Sequence, residues 1–397
     1  MLEIILAIFL GIFCGIIAGL LPGIHTNLLA VLLLSISPLF LNYLSPLFII
    51  VLIVSMGITN TFIDSIPSIY LGAPEEDSAL SVLPGHKMLL DGRGHEAVIM
   101  TIIGSLIAIV IFTFVSLLSF FFSLKFLLGI EKFIPLLLFW VFIFLLIQEK
   151  NKKVSFIFFL LSGILGISSF NLSINQPLLP LLTGLFGTST LIFSIYSNSK
   201  PPKQKIRKIK FSFRYIKRPL LSSLFISPLF SFLPGVGASQ AAITGCSFFK
   251  RFSKKEFLIL VGSTNTLILS FSFLFLYLFN KKRSGLASVI SEITKISFSS
   301  FLIIFFTIIF VSILASILTL EISKFFAKRI HSFNYRKLSF STFFFIVFVV
   351  FLVSGFKGIL VLFVSTTLGF LSSLLGVKKS FLMGCLMIPT MLWYFPF

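Results

Sequence analysis

The chain contains few residues of the types that build metal centres and disulfide frameworks. Its 397 residues include 3 cysteines and 4 histidines. Cys14, Cys246 and Cys385 lie in apolar or glycine-rich segments without metal-ligand spacing, so we interpret them as packing residues. The histidines are too scattered for a ligand set: His25, His86, His95 and His331. We therefore expect no disulfide and no metal cofactor.

Acidic residues are also scarce, with 12 aspartates and glutamates against 32 lysines and arginines. The acidic cluster at 73–78 has the consecutive spacing of a solvated loop rather than of a metal site. The sequence lacks a nucleophile elbow, a zinc-binding helix, a phosphate-binding loop and the kinase signatures. It therefore predicts neither an enzyme nor a protein that hydrolyses ATP itself.

Long apolar segments make up most of the chain. Hydrophobic residues make up 57% of the chain and charged residues 11%, and the mean hydropathy is +1.12. This composition predicts an all-α polytopic protein of the cell membrane, in direct contact with the lipid bilayer, with about ten to twelve spanning elements, some of them broken helices or hairpins. The clearest spans are 1–21, 97–123, 133–148, 154–170, 178–196, 296–320, 338–355, 358–376 and 380–396.

The net charge of +20 comes from short loops and not from a basic domain, so no nucleic-acid partner is expected. Nine lysines and arginines and no acidic residue lie between Lys200 and Arg218. The positive-inside rule places this segment in the cytoplasm. We therefore divide the chain into an N-terminal half at 1–198, a basic linker at 199–218 and a C-terminal half at 219–397.

Three landmarks occur twice in the same order. Leu-Pro-Gly occurs at 21–23 and 233–235, Thr-Asn-Thr at 59–61 and 264–266, and a basic residue before a small-residue helix start at Arg93 and Arg283. Ordered landmarks of this kind indicate an internal duplication. In membrane transporters such duplications are commonly inverted, so we predict two inverted repeats.

The second Thr-Asn-Thr segment lies between two basic clusters, at 250–255 and 281–283. If both clusters are cytoplasmic, residues 257–279 must enter the membrane and return, with the triplet near the tip of a re-entrant hairpin. The same reasoning does not settle the side on which the basic residues of 321–337 lie.

Each Pro-Gly pair is expected to break a helix within the membrane. Interrupted backbone survives there only beside protein or a water-filled cavity. The helix that follows begins with free amides, which suit a carboxylate or a phosphate. A simple kink is the alternative. The candidate substrate-binding residues at the two breaks are Gly23, His25, Asn27, Gly235, Gly237 and Ser239.

The Thr-Asn-Thr triplets offer hydroxyl and amide oxygens to Na⁺ and hydrogen bonds to an anionic substrate. We therefore add Thr59, Asn60, Thr61, Thr264, Asn265 and Thr266 to the candidate binding residues. Asp64 lies one helical turn beyond Asn60, and an ionisable residue at membrane depth is a candidate for cation coupling. Helix capping and helix–helix packing are the alternatives.

Further motifs resemble those of a known family. Gly19-Leu20-Leu21-Pro22-Gly23 matches its Gly-x-x-Pro-Gly motif, and Pro234-Gly235 matches a second copy without the leading glycine. A loop pattern is matched at Pro74, Gly85, Met88, Gly92 and Ala97, and departs from the bacterial pattern at Glu75 and Pro84. On these motifs the chain resembles the large membrane subunit of tripartite tricarboxylate transporters, especially its solitary archaeal relatives.

The resemblance implies a secondary active transporter of a small organic anion, such as a di- or tricarboxylate, coupled to Na⁺ or H⁺. The resemblance also implies two partners, a small membrane subunit and an extracytoplasmic binding protein. A homodimer is a further expectation. Two alternatives stay open. One is a polyprenyl-phosphate translocase, in which Arg93 or Arg283 would hold a lipid phosphate, and the other is a membrane scaffold without a transport cavity.

Overall fold

The computed structural model describes most of the chain. The described residues are 2–21, 26, 29–30, 32–34, 37, 43–70, 82–121, 134–147, 149, 151–189, 191–192, 202–206, 212–231, 237–247, 249, 252–331, 335–377 and 379–394. The acidic cluster at 73–78 and the site candidates Gly23, His25, Asn27 and Gly235 lie outside them.

Every regular element in these residues is helical. The helices are α1 Leu2–Leu20, α2 Pro46–Ile63, α3 Ser65–Tyr70, α4 Val82–Leu90, α5 Gly94–Phe121, α6 Ile134–Ile147, α7 Lys152–Asn171, α8 Leu178–Leu182, α9 Arg214–Phe230, α10 Ala238–Ser247, α11 Lys254–Phe279, α12 Gly285–Ile293, α13 Phe298–Arg329, α14 Tyr335–Leu374 and α15 Gly384–Tyr394. A π-helical turn, Thr183–Thr188, extends α8, and a 3₁₀ turn, Lys379–Met383, precedes α15.

Seven helices in the described residues are long and apolar enough to span a membrane: Leu2–Leu20, Pro46–Tyr70, Gly94–Phe121, Lys152–Asn171, Lys254–Phe279, Phe298–Arg329 and Phe343–Leu374. Three shorter apolar helices accompany them. The predicted all-α polytopic membrane fold is therefore confirmed.

Helix α14 contains a reversal that the sequence also indicated. Gly355 has φ 64° and ψ −163°, a conformation that suits glycine. Val350 Cγ1 would lie 3.5 Å from a Cβ added at Gly358. In a straight helix, residues eight apart are about 12 Å apart along the axis, so α14 turns back at Gly355, and the apolar segment Phe343–Leu374 is divided there into two helical arms. Its two arms correspond to the separate apolar segments predicted at 338–355 and 358–376.

The re-entrant hairpin predicted at 257–279 is wrong, because α11 is one unbroken helix of 26 residues. It begins with a capping box between Ser253 and Glu256. The polar triplet does not break the helix, because the Thr264 hydroxyl donates to the carbonyl of Leu260 at 2.9 Å. A hydroxyl satisfied by its own helix needs neither water nor an interruption of the backbone.

A hairpin does occur immediately before α11. Helices α9 and α10 pack side by side, with the Ser222 hydroxyl donating to the carbonyl of Gly245 at 3.0 Å. Residue 222 lies in the middle of α9 and residue 245 near the end of α10, so the two short helices run antiparallel. Pro234 and Gly235, where the sequence predicts a break, are not among the described residues.

Basic residues from distant parts of the sequence meet at one end of the bundle. Lys254 Nζ lies 3.3 Å from Asp91 Oδ2, and Lys255 Nζ lies 2.5 Å from Glu96 Oε1. The Lys254 ammonium beside Asp91 lowers the pKa of that carboxyl. We call this end, with Arg214–Arg218, Lys254–Lys255 and Lys324–Arg329, the basic face.

Helix α13 ends at the basic face, because His95 Nδ1 lies 2.9 Å from Ser323 Oγ. The basic residues at 324–329 therefore lie beside Lys254 and Lys255. Residues 281–283 follow the opposite end of α11. Residues 321–329 therefore lie on the same side of the bundle as Lys254 and Lys255. The charges of the loops alone did not decide on which side they lie. The assignment of the basic face to the cytoplasm stays a prediction of the positive-inside rule.

Two large hydrophobic clusters account for most of the buried core of the described helices. The larger is built by α1, α2, α5, α11 and α13 and includes Ile53, Phe112, Phe271 and Phe301. The second joins α6, α7, α8 and α15 with part of α9 and includes Phe159, Phe186, Phe230 and Phe381. Each cluster takes helices from both sides of the linker. The last five residues of the predicted linker, 214–218, form the first turns of α9.

Candidate functional site

The two Thr-Asn-Thr segments meet where α2 and α11 cross. The Asn265 side-chain amide donates to Asp64 Oδ2 at 2.8 Å. The Thr266 hydroxyl donates to the hydroxyl of Thr61 at 3.1 Å. Residue 61 pairs with residue 266, and residue 64 pairs with residue 265, so a later position in the first segment meets an earlier position on α11. The two helices therefore cross in opposite directions. The structure thus brings together four residues that the sequence singled out.

All seven polar candidates at this crossing are buried. Thr59, Thr264 and Thr266 are 0% exposed, Asp64 is 2%, Asn265 is 5%, and Asn60 and Thr61 are 6%. Burial of a carboxylate and two amides in a membrane protein requires hydrogen-bonding partners or a bound ion, because hydrocarbon supplies none. The crossing is therefore a closed polar site surrounded by apolar helix surface.

Glycines bring α1 unusually close to α2. A Cβ added at Gly11 would lie 2.6 Å from Ser55 Cβ, and one added at Gly15 would lie 2.7 Å from Thr59 Cβ. The four-residue spacing places these glycines on one helix face, as in other close contacts between membrane helices. The contact turns Ser55 and Thr59 toward α1.

The hydroxyls of Ser55 and Thr59 have no hydrogen-bond partner within the described part of the chain, and both are buried. Their oxygen lone pairs remain available to a ligand. Thr59 was a sequence candidate, whereas Ser55 was missed. Its position one helical turn before Thr59 is the only signal in the sequence that could have identified it.

The residues that precede the two Pro-Gly pairs lie at matching positions beside the two helices. Gly19, three residues before Pro22, lies against α2, where an added Cβ would be 2.8 Å from Ile63 Cβ and 3.1 Å from Asn60 Oδ1. Ser231, three residues before Pro234, donates its hydroxyl to the carbonyl of Ser227 at 2.6 Å, and the same hydroxyl lies 3.5 Å from the carbonyl of Ile268. Ile63 and Ile268 each follow the triplet asparagine by three residues. The residues that lead into both Pro-Gly pairs therefore lie next to the crossing.

The described candidates of the second break lie at the start of α10. Gly237 immediately precedes this helix, and Ser239 lies in its first turn with a fully buried side chain. In the first half, Thr26 is buried beyond the break. The remaining break residues, Gly23, His25, Asn27 and Gly235, belong to the part that the structure does not describe.

Arg93 and Arg283 occupy different surroundings. Arg93 lies on the basic face, 3.5 Å from Asp91 and 4.0 Å from Glu96. Arg283 Nε donates to the carbonyl of Phe230 at 3.0 Å, at the end of α9 just before the second break. Of these two arginines, only Arg283 lies beside the helix that leads into a Pro-Gly pair.

Gly92 of the family-like loop pattern and Gly104 in the helix that follows it have structural roles. Gly92 has φ 75° and closes the turn between α4 and α5, and its carbonyl accepts a hydrogen bond from the Lys205 amide at 2.8 Å. Gly104 lies where α5 crosses α11, and a Cβ there would overlap the carbonyl of Ile259. These residues position the helices that carry the site.

Comparisons with known proteins agree with this arrangement of motifs. The model of the Tripartite tricarboxylate transporter TctA family matches residues 5–384. The uncharacterized protein MJ1079 of Methanocaldococcus jannaschii is 31% identical over 328 residues, which cover 79% of this chain and 78% of the relative. No solved structure matches. The chain is a multi-pass protein of the cell membrane and belongs to the tripartite tricarboxylate transporter TctA family.

Proposed function

We propose that this transporter-family protein is a secondary active transporter that moves a small organic anion, such as a di- or tricarboxylate, together with Na⁺ or H⁺. The observation that carries the proposal is the buried polar contact between Asp64–Asn265 and Thr61–Thr266 at the crossing of two spanning helices. A buried polar contact at membrane depth between duplicated segments is typical of transporter sites.

The coupling cation would bind among the oxygens on α2. Asp64 offers a carboxylate, and the Thr61 hydroxyl, three residues earlier on the same face, also lies against α11. Hard cations such as Na⁺ prefer oxygen ligands, and the same carboxylate could instead take a proton.

The organic anion would bind at the two breaks. The candidate residues are those named from the sequence at each break, with the amides at Gly23 and Gly235 donating to carboxylates and His25, Asn27, Gly237 and Ser239 adding polar contacts. Asn60 lies beside Gly19, which precedes the first Pro-Gly pair, and Asn265 lies one turn before Ile268, whose carbonyl is near Ser231. Arg283, which bonds to the end of α9, would add a positive charge on the second side.

Such a site supports alternating access through the contact between α2 and α11. The Asn265–Asp64 hydrogen bond joins the two halves when the site is closed. Binding of the cation at Asp64 competes with the Asn265 amide for the same carboxylate oxygen. Cation binding and movement of α11 relative to α2 would thus be coupled, as ion-driven transport requires.

The proposal is tested by uptake in proteoliposomes that contain the purified full-length chain. We expect an inward Na⁺ or proton gradient to accelerate uptake of a radiolabelled di- or tricarboxylate, and the matching ionophore to abolish the acceleration. Uptake that ignores both gradients would contradict coupled transport. A panel of carboxylates, with each cation alone, would identify the solute and the ion.

The lipid-phosphate alternative is favoured by one observation, the position of Arg283 beside the helix that leads into the second Pro-Gly pair. A translocase would move a labelled polyprenyl phosphate between leaflets without a preference for free carboxylates. The same vesicles can therefore distinguish the two functions. A scaffold would give neither activity.

The tripartite family also leads us to propose a small membrane subunit and an extracytoplasmic binding protein as partners, and a homodimer as the assembly. Uptake by the purified chain alone would show that the partners are dispensable. Restoration of uptake only after both are added would show that they are required. The mass of the detergent-solubilised protein by light scattering would establish whether it is dimeric.

A further inference from the structure

A pocket on the basic face lies apart from the helix crossing. It has a volume of about 540 Å³ and is lined by the start of α9 and the start of α11. Arg214, Lys217 and Arg218 contribute three positive charges to it, and Glu256 contributes one negative charge. The pocket therefore has a net positive lining.

The carboxylate of Glu256 is largely occupied by local contacts. Its Oε2 accepts the backbone amide of Ser253 at 2.8 Å as part of the capping box. Its Oε1 lies 3.9 Å from Arg218 Nη1. Glu256 thus positions Arg218 and the beginning of α11. Its carboxylate does not neutralise the positive charges of Arg214 and Lys217.

Aromatic side chains border the same pocket. Phe213 is 81% exposed, and Tyr215 lies beneath the ammonium of Lys255, 5.3 Å from the ring centre. An apolar ring that is exposed to water is unfavourable, whereas aromatic rings beside basic residues are favourable at the boundary between lipid and water. Farther along α9, Phe225 is also exposed, as expected for a lipid-facing side chain.

We propose that this pocket binds the headgroup of an anionic phospholipid from the surrounding bilayer. Arg214 and Lys217 would contact the phosphate, and Phe213 would lie against the first part of the acyl chains. Charge complementarity selects an anion, and the exposed ring beside the charges selects a lipid over a soluble phosphate. This site is additional to the proposed transport site and does not depend on its substrate.

The occupied pocket would hold the α9–α10 hairpin against α11. Helix α9 begins at the pocket and ends at Phe230, and the hydroxyl of the next residue, Ser231, lies 3.5 Å from the carbonyl of Ile268. A headgroup that contacts Arg214 and Lys217 would fix the membrane-surface end of the helix whose other end lies against the middle of α11. Anionic lipid is therefore expected to stabilise the folded protein.

The test uses the purified full-length protein in a neutral detergent, titrated with dioleoylphosphatidylglycerol and followed by native mass spectrometry and thermal unfolding. We expect the lipid to bind and to raise the melting temperature. The double variant Arg214→Gln/Lys217→Gln should bind it about 25-fold more weakly, since each basic residue near a headgroup contributes about a fivefold increase in affinity. The matched control, Lys281→Gln/Lys282→Gln, removes two charges beyond the other end of α11 and should bind normally.

Two further ligands separate charge from acyl chains. Dioleoylphosphatidylcholine tests the chains without net negative charge, and glycerol 1-phosphate tests the phosphate without chains. The proposal would be overturned if either ligand bound as tightly as dioleoylphosphatidylglycerol. It would also be overturned if the double variant bound dioleoylphosphatidylglycerol with the wild-type affinity. Wild-type binding must also weaken at high salt, because the contacts are electrostatic and near the surface. This last measurement decides the question even if the double variant folds poorly.

Discussion

Asp64 and Asn265 form the contact on which the proposed transport site depends. They are 201 positions apart in sequence, and the hydrogen bond between them is buried. Hydrogen bonds to a charged group contribute about 1.5–3 kcal/mol, and more is lost when a buried partner is left unsatisfied. Substitutions at these two residues therefore have large expected effects, and the effects differ between the amide and the carboxylate.

Replacing the triplet asparagines tests their role in transport. Asn60→Ala and Asn265→Ala are each expected to lower the initial uptake rate by about tenfold or more, because each removes a buried polar group from the region where α2 and α11 cross. Ser312→Ala is the control, since that buried hydroxyl on α13 bonds only to its own helix at Ile308. Wild-type uptake in both asparagine variants would contradict the site assignment.

Replacing Asp64 tests the role of the cation. Asp64→Asn preserves the size of the side chain but removes its charge, so the imposed gradient should no longer accelerate uptake. Asp91→Asn is the matched control, because Asp91 is a carboxylate of the basic face that pairs with Lys254. A gradient response that persists in Asp64→Asn would assign coupling to another residue. Circular dichroism and gel filtration must show that both variants fold.

At the scale of the elements, close helix crossings arrange the site. Helix α5 approaches α11 so closely that a Cβ at Gly104 would overlap the Ile259 carbonyl, and one at Gly262 would overlap the Thr101 carbonyl. The Ser105 hydroxyl also donates to the carbonyl of Gly262 at 3.2 Å. Backbone atoms at such a contact cannot move aside cheaply, so this crossing fixes the position of the second Thr-Asn-Thr segment.

Adding one methyl group tests this crossing. Gly104→Ala is expected to destabilise the protein by about 1–3 kcal/mol through overpacking, and to lower the melting temperature in detergent. Gly245→Ala is the control, because its added Cβ would meet only side chains of Leu260 and Ser222 at 3.3 Å. Equal melting temperatures for the two variants would mean that α5 and α11 are farther apart than described.

Across the whole molecule, contacts repeat between the two halves. The first Thr-Asn-Thr helix, α2, packs against α13, and the second, α11, packs against α5. The short helices also pack against the opposite half: α12 contacts α2, and α4 contacts α11. An inverted repeat would generate this reciprocity. The repeat itself stays a prediction, to be tested by superposing roughly 10–115 on 222–320.

Sidedness of the loops provides an independent test in the membrane. In a background without the native cysteines, Lys255→Cys and Lys328→Cys should react with an impermeant thiol reagent from the cytoplasm, and Lys282→Cys only from outside. The physical reason is that α11 crosses the membrane once, as a helix of 26 residues. Labelling of Lys282→Cys from the cytoplasm would contradict a single crossing and support the re-entrant hairpin at 257–279.

The sequence alone determined the membrane class, the helical architecture and the landmarks of the site. Apolar runs of spanning length have few physical alternatives to helices, because the bilayer core cannot satisfy free backbone groups. Even the reversal in α14 was indicated, since Gly355 separates two such runs. The recurrence of Thr-Asn-Thr identified Thr61, Asp64, Asn265 and Thr266 as candidates before their contacts were known.

Tertiary structure decided the path of α11 and the meeting of the two triplets. Loop charge suggested a hairpin at 257–279, but hydroxyls that bond within the helix allow polar residues to pass through the membrane unbroken. The contact between Thr61 and Thr266 depends on how helices more than 200 residues apart pack. That packing is set by close glycine crossings, such as the one at Gly104, whose partners no local sequence pattern specifies.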